Sequence, residues 1–303
     1  MCGICGWVEL GGESSVADAR ELISRMQNAI AHRGPDDRGE VIFPGGALAM
    51  TRLSVIDLTT GHQPLSNVEE TCWIVYNGEV YNFGELRREL ESRGHRFRTH
   101  SDTEVVLHAY MEWGDTCVEW LRGMFAFAVW DARERALFLA RDRVGKKPLF
   151  YHEGGGRFAF ASEIKALLAD EQVPRRVNCR VLPEYLVHGY VPAPETMFEG
   201  IRELPPGHTL LLKNGRKQLR EYWDGLPAKS PSASASEAEL REQLLALLAE
   251  AVRLRLVSEV PLGAFLSGGV DSAAVVALMA RESGRPVKTF TMGFAGDPSF
   301  DEL

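Results

Sequence analysis

The chain has 303 residues, long for one domain on a prior of roughly 150 each, and 45 % are hydrophobic against 25 % charged. That balance excludes disorder, a collagen-like repeat or a disulfide scaffold as a description of the whole. The 34 Lys and Arg are outnumbered by 42 Asp and Glu, a net charge of -8 that disfavours a phosphate-backbone partner, so no nucleic acid is expected.

The opening Met1, Cys2, Gly3, Ile4, Cys5, Gly6 lacks the basic and apolar regions of a secretory signal. No apolar run nears the roughly 18 to 20 residues of a membrane span, and the longest, 124–130, has strand length. A cytoplasmic chain with no membrane partner and reduced thiols on its five cysteines is expected. Apolar patterning predicts helices over 16–31, 83–93, 102–113, 163–169 and 183–189. It predicts strands over 72–76, 125–130, 136–140, 148–152, 157–161 and 209–213, with hairpin connections at 131–135 and 153–156. Interspersed hairpins and helices argue an α+β domain, sheet layers covered by helices. Residues 225–236, GLPAKSPSASAS, have almost nothing to bury and read as a linker. An amphipathic helix over 237–257, a strand over 262–266, a glycine turn, a helix over 272–282 and a strand over 287–294 follow. This is a βαβ unit and implies a parallel sheet. The stretch is too short for a doubly wound domain, and another helix is expected to begin at Asp301, so the second domain is expected to be incomplete at Leu303. There is no internal repeat.

Two places carry chemistry. Ser267, Gly268, Gly269, Val270, Asp271 and Ser272 join a strand to a helix, where paired glycines and the first helical amides can approach an anion. The same residues could be an ordinary glycine turn capped by Asp271 or Ser272. A Walker loop is excluded, since the Gly145–Lys146 pair is followed by Lys147. Cys2, once Met1 is removed, would carry a thiol and an α-amine with a reference pKa of about 8, nucleophile and base in one residue. Taken alone it reads as a small buried hydrophobe. Cys2 and Cys5 form a CxxC with no second pair or nearby His to complete a zinc set.

The company these residues keep is specific. Cys2-Gly3-Ile4, His32-Arg33-Gly34-Pro35-Asp36, Arg52-Leu53-Ser54, Tyr76-Asn77-Gly78-Glu79 and Ser101-Asp102-Thr103-Glu104 resemble, in order, the motifs of class II glutamine amidotransferases. SGGVDS after PLGAFL resembles the pyrophosphate loop of ATP pyrophosphatases. Together they resemble the glutamine-hydrolysing asparagine synthetase family. The resemblance implies an N-terminal nucleophile hydrolase sandwich (αββα) over 2–222, a linker over 223–236, and over 237–303 the first part of an α/β parallel-sheet ATP pyrophosphatase domain.

It also implies roles. Cys2 would attack the glutamine amide, Asn77 and Gly78 would form the oxyanion hole, and Arg52 would grip the α-carboxylate. Asp102 with Glu79 would receive the α-ammonium. Asn77–Gly78 also carries the strongest short hairpin signal, and Ser101 with Glu104 that of a capping box, the better reading of Glu104. Leu266, Ser267, Gly268, Gly269, Asp271, Ser272 and Met292 would bind ATP and its pyrophosphate, with Mg²⁺ as cofactor. Expected substrates are glutamine, aspartate and ATP, and a homodimer is an open expectation. Met50 stands where the family commonly has His, and the family's SGEGxDE-like segment does not occur before Leu303. The basic stretch Arg141 to Pro148 reads as a solvated turn. Amidation of another carboxylate, and a glutaminase-only or noncatalytic binding module, remain the alternatives.

Overall fold

The computed structural model describes residues 1–11, 15–225 and 236–293. The chain divides into two compact units, Met1–Gly225 and Leu226–Leu303.

In the first unit the strands are β1 (Gly3–Glu9), β2 (Asp37–Phe43), β3 (Gly46–Arg52), β4 (Leu65–Ser66), β5 (Cys72–Val80), β6 (Gly123–Asp131) and β7 (Ala136–Arg141). They continue with β8 (Phe150–Gly154), β9 (Arg157–Ala161), β10 (Ile201–Glu203), β11 (His208–Lys213) and β12 (Arg216–Glu221). The helices are α1 (Val16–Ala29), α2 (Phe83–Ser92), α3 (Asp102–Trp113), α4 (Ile164–Leu167) and α5 (Leu182–His188).

Two six-stranded antiparallel sheets form, ordered β10-β8-β9-β1-β3-β2 and β12-β11-β7-β6-β5-β4. Strand alternation then builds three apolar layers. Ile4 and Val8 of β1 meet Ala126, Ala128 and Trp130 of β6 between the sheets. Cys5 and Trp7, on the other face of β1, pack with Leu22, Ile23 and Met26 of α1. Phe125, Phe127 and Val129, on the other face of β6, pack with Val105, Val106 and Ala109 of α3 and Leu86 and Leu90 of α2. The layering is αββα. It explains why 124–130 reads as an unbroken apolar run: both faces of β6 are covered.

Local signals start the helices. Ser15 accepts from Asp18 N at 3.2 Å ahead of α1, and Ser101 accepts from Thr103 N at 3.1 Å ahead of α3. The expected reciprocal box at Ser101 does not close. The Glu104 carboxylate instead accepts from Arg98 N and Thr99 N and from the Thr99 hydroxyl. Glu104 thereby pins the segment entering α3, a structural role.

One expectation fails outright. Asn77 and Gly78 do not turn the chain; β5 runs through them, pairing Asn77 with Ala126 and Gly78 with Phe125. Burial against β6 overrides the local turn preference. Strand β8 lies two residues later than expected, and β1, β2, β3, β4, β10 and β12 were not foreseen.

In the second unit α6 (Glu237–Leu254) begins at a complete capping box between Ser236 and Glu239. Strands β13 (Gly263–Phe265) and β14 (Lys288–Phe290) pair in parallel around α7 (Val270–Ser283), the βαβ unit expected. Val252 of α6 packs with Leu278 and Met279 of α7. Most of the linker, the helix expected at Asp301 and the end of the last strand at Phe294 lie outside the described residues. Among the described residues no helix is long and apolar enough to cross a membrane.

Candidate functional site

Antiparallel register brings distant motifs to one end of the sandwich. Gly3 pairs with Thr51, which sets Cys2 beside Arg52 at the end of β3. The Cys2 thiol contacts the Leu53 carbonyl oxygen at 3.5 Å and receives the Leu53 N–H at 3.4 Å. Behind it, Arg33 Nε donates to the Cys2 carbonyl oxygen at 2.9 Å, while Arg33 Nη1 holds Glu163 at 2.8 Å. The residue at the head of the inner strand is therefore fixed from both sides.

Cys2, Arg52, Asn77, Gly78, Glu79 and Asp102 all line one cavity of about 210 Å³. This is below the roughly 300–1,000 Å³ of pockets for drug-sized ligands and suits an amino acid. Gly78 is dictated by space: a Cβ there would lie 2.4 Å from the Met124 carbonyl oxygen and 2.8 Å from Phe125 Cα. Asn77 is 1 % exposed, and its Nδ2 is buried with no hydrogen-bond partner among the described residues. An unmade amide donor in a buried site is costly, so it marks a place that a ligand acceptor would fill.

Each charged group has its own support. Arg52 Nη2 donates to the carbonyl oxygens of Ile56 at 3.0 Å and Asp57 at 2.6 Å. Asp102 Oδ2 accepts from the Tyr76 hydroxyl at 2.7 Å and Val80 N at 3.0 Å. Burial nonetheless raises the Asp102 carboxyl above its ordinary value, against those two bonds. Burial, then the neighbouring Asp102, raises Glu79 as well. The Cys2 thiol is raised by burial, with the Leu53 N–H, the amino end, Arg52 and Lys147 opposing.

Two contributors escaped the sequence reading. Lys147, taken for part of a solvated turn, is 6 % exposed and lines the cavity. Gln63, also lining it, accepts from Tyr76 N at 2.8 Å and donates to the Thr103 hydroxyl at 3.1 Å, tying β5 to α3. No local sequence pattern singles out Lys147; its placement rests on the Asp142 carboxylate, which accepts from the N–H groups of Val144, Lys146 and Lys147 and folds the bend inward.

In the second unit the candidate loop leaves β13 at Leu266, whose N–H bonds Phe290 O at 2.9 Å, and enters α7 with Gly269 as N-cap. Gly268 has φ +86°, a conformation that favours glycine. No side chain caps α7, so its first amides stay open to an anion. The Ser267 and Ser272 hydroxyls lie 3.2 Å apart beside them. Asp271 is exposed in the first turn, Leu266 is half-buried under the loop, and Met292 is exposed beyond β14. Among the described residues no group of three or more His, Cys, Asp and Glu could hold a metal.

An αββα sandwich with a cysteine at the head of an inner strand is the architecture of the N-terminal nucleophile hydrolases. Residues 1–223 match the family model described as glutamine amidotransferase domain, and the chain belongs to that family. Residues 243–303 match the asparagine synthase family model. Asparagine synthetase [glutamine-hydrolyzing] 3 of Bacillus subtilis is 40 % identical over 97 % of this chain and 48 % of its own length. A putative asparagine synthetase [glutamine-hydrolyzing] 2 of Methanocaldococcus jannaschii is 35 % identical over the whole chain and 61 % of its own length. The chain thus spans about half the length of the Bacillus relative. Among solved structures, a glutamine phosphoribosylpyrophosphate amidotransferase from B. subtilis aligns over 99 % of this chain and 68 % of its own, with TM-score 0.53 and 19 % identity. It shows the shared fold.

Proposed function

We propose that this chain is the glutamine-hydrolysing half and the start of the synthetase half of an ATP-dependent asparagine-forming ligase. The observation that carries the reading is Asn77 Nδ2, buried and without a hydrogen-bond partner among the described residues, on a residue that lines the same cavity as Cys2, Arg52, Glu79 and Asp102. Arg52 would hold the α-carboxylate of glutamine, and Asp102 with Glu79 its α-ammonium. With Met1 removed, the Cys2 amine takes the thiol proton as Sγ bonds the side-chain amide carbon. The oxyanion is held by Asn77 Nδ2 and the Gly78 N–H. As the tetrahedral species collapses, the C–N bond breaks and the amine returns its proton to the leaving nitrogen, releasing ammonia. Water then cleaves the glutamyl thioester to glutamate and restores the thiol.

In the second unit, the open amides at Gly268 and Gly269 and the hydroxyls of Ser267 and Ser272 would bind the pyrophosphate of ATP. Leu266 and Met292 would contact the nucleotide. Aspartate would be activated as its acyl-adenylate, and ammonia would displace AMP to give asparagine. We place the division of labour at 2–222 and 237–303, joined by 223–236. Five free cysteines suit a reducing compartment, and we assign the reaction to the cytoplasm.

Aspartate-dependent release of pyrophosphate by the whole protein, with glutamine as nitrogen donor, tests this reading. Pyrophosphate release with another acid in preference to aspartate would reassign the acceptor. Glutamate formation without any ATP-dependent product would leave a glutaminase alone.

A further inference from the structure

Lys147 is a charged side chain buried in the cavity wall, and among the described residues it makes no salt bridge. The bend that carries it is built to hold it there. The Asp142 carboxylate, 1 % exposed, accepts from the N–H groups of Phe125 at 3.2 Å, Val144 at 3.2 Å, Lys146 at 2.9 Å and Lys147 at 3.0 Å. Arg141 Nε donates to the Lys147 carbonyl oxygen at 2.8 Å, and its other nitrogens cap Leu204 O and Gly145 O. Backbone donors and acceptors are thus fixed around one residue whose side chain lines the cavity of Cys2, Glu79 and Asp102.

A buried ammonium is tolerated where the surrounding field is negative, and two carboxylates in one walled cavity repel unless a cation sits near them. Asp102 has its own donors in Tyr76 and Val80. Glu79 has no side-chain hydrogen bond among the described residues. We infer that Lys147 is a positioning residue of the amide-hydrolysing site: carried on a backbone bend that Asp142 and Arg141 fix, its ammonium is the cation that shares the cavity with Glu79 and holds that side chain ready for the substrate's α-ammonium. This rests on the glutamine-hydrolysing reading above.

The electrostatics agree with the geometry. Burial and Asp102 raise the Glu79 carboxyl, and Lys147 opposes them; burial lowers Lys147, and Glu79 is foremost among the groups that oppose that. The other titratable groups bearing on the pair are Tyr76 beside Asp102, Cys2 with the amino end, Arg52 across the cavity, and Arg33 and Asp142 behind Lys147.

The test is the pH profile of the glutamine dissociation constant, measured on the whole chain carrying Cys2→Ala, where no thiol proton moves and the acid limb reports the binding carboxylates. Lys147→Met should move that acid limb up by about half a pH unit or more, with the loss of affinity concentrated at low pH, and Lys147→Arg should restore it. In a Glu79→Gln background, Lys147→Met should leave the acid limb in place. An unmoved limb in a folded Lys147→Met variant, or an equal movement in the Glu79→Gln background, overturns the inference. Should Lys147→Met fail to fold, Lys147→Gln carries the same expectation. Wild-type protein that does not hydrolyse glutamine would overturn the underlying reading, whereas an active wild type with an unmoved limb overturns the Lys147 assignment alone.

Discussion

The carbonyl oxygen of Asp57 accepts a 2.6 Å hydrogen bond from Arg52 Nη2, so the residue proposed to grip the substrate carboxylate is itself gripped by the loop beyond β3. Asp57 holds that loop with its own carboxylate, which accepts from Thr60 N at 2.8 Å, the Thr60 hydroxyl at 2.6 Å and His100 N at 2.9 Å. Gly61 packs so closely that a Cβ would lie 2.3 Å from Arg52 Nη2. Asp57→Ala is expected to free the loop and raise KM for glutamine by on the order of tenfold, with a smaller change in kcat. Steady-state kinetics check it, and equal losses in both constants would point away from a positioning role.

Gly78→Ala sets a methyl group against backbone rather than a yielding side chain. Strands β5 and β6 cannot part there without loss of their ladder, so about 3 kcal/mol of destabilisation is expected. Denaturant unfolding measures it, and an undiminished transition midpoint would contradict the packing argument.

Glu163 links the pH dependence of stability to the nucleophile. Burial alone would raise its carboxyl, but hydrogen bonds from Arg33, Lys165 and His32 prevail and bring it from 4.5 to about 2. A folded-state value below the unfolded one gives stability that is complete above the unfolded value and is lost as pH falls through the folded one. Glu163→Gln should therefore lower Tm near neutrality, and the gap to wild type should close between about pH 4.5 and pH 2. A gap that stays constant over that interval would show that the ion pairs contribute nothing.

Asp271→Ala separates the two chemistries. Asp271 sits in the first turn of α7, in the unit that does not contain Cys2. Loss of ATP-dependent pyrophosphate release with glutamine hydrolysis intact is expected from paired assays on the whole protein. Loss of both activities would mean a folding defect rather than a role at the phosphate loop.

Long, strongly periodic elements were legible: α3, α6 and β6 stand where apolar spacing puts them. The inner strand β1 was not, because Gly3 and Gly6 interrupt its apolar run. A Cβ at Gly6 would meet Ala47 O and the Phe160 ring at 2.7 Å, so glycine there serves sheet packing that no local pattern reveals. Asn77–Gly78 misled for the opposite reason, a turn signal buried inside a paired strand. The six glutamine-site candidates gather around one cavity because β1–β3 register sets Cys2 beside Arg52, β5 of the second sheet carries residues 77–79, and Asp102 at the start of α3 bonds Tyr76 and Val80. Lys147 stayed hidden since its placement depends on Asp142 and Arg141 folding the bend inward.

Everything turns on the Cys2 sulfur as nucleophile. The direct measurement is peptide mapping by mass spectrometry after the protein is treated with an electrophilic ketone analogue of glutamine, alongside glutamine hydrolysis by Cys2→Ala. The account predicts one adduct, on Cys2 of a chain that has lost Met1, and no hydrolysis in the variant. Modification confined to the exposed Cys179, or a Cys2→Ala protein that still releases ammonia at the wild-type rate, would contradict it.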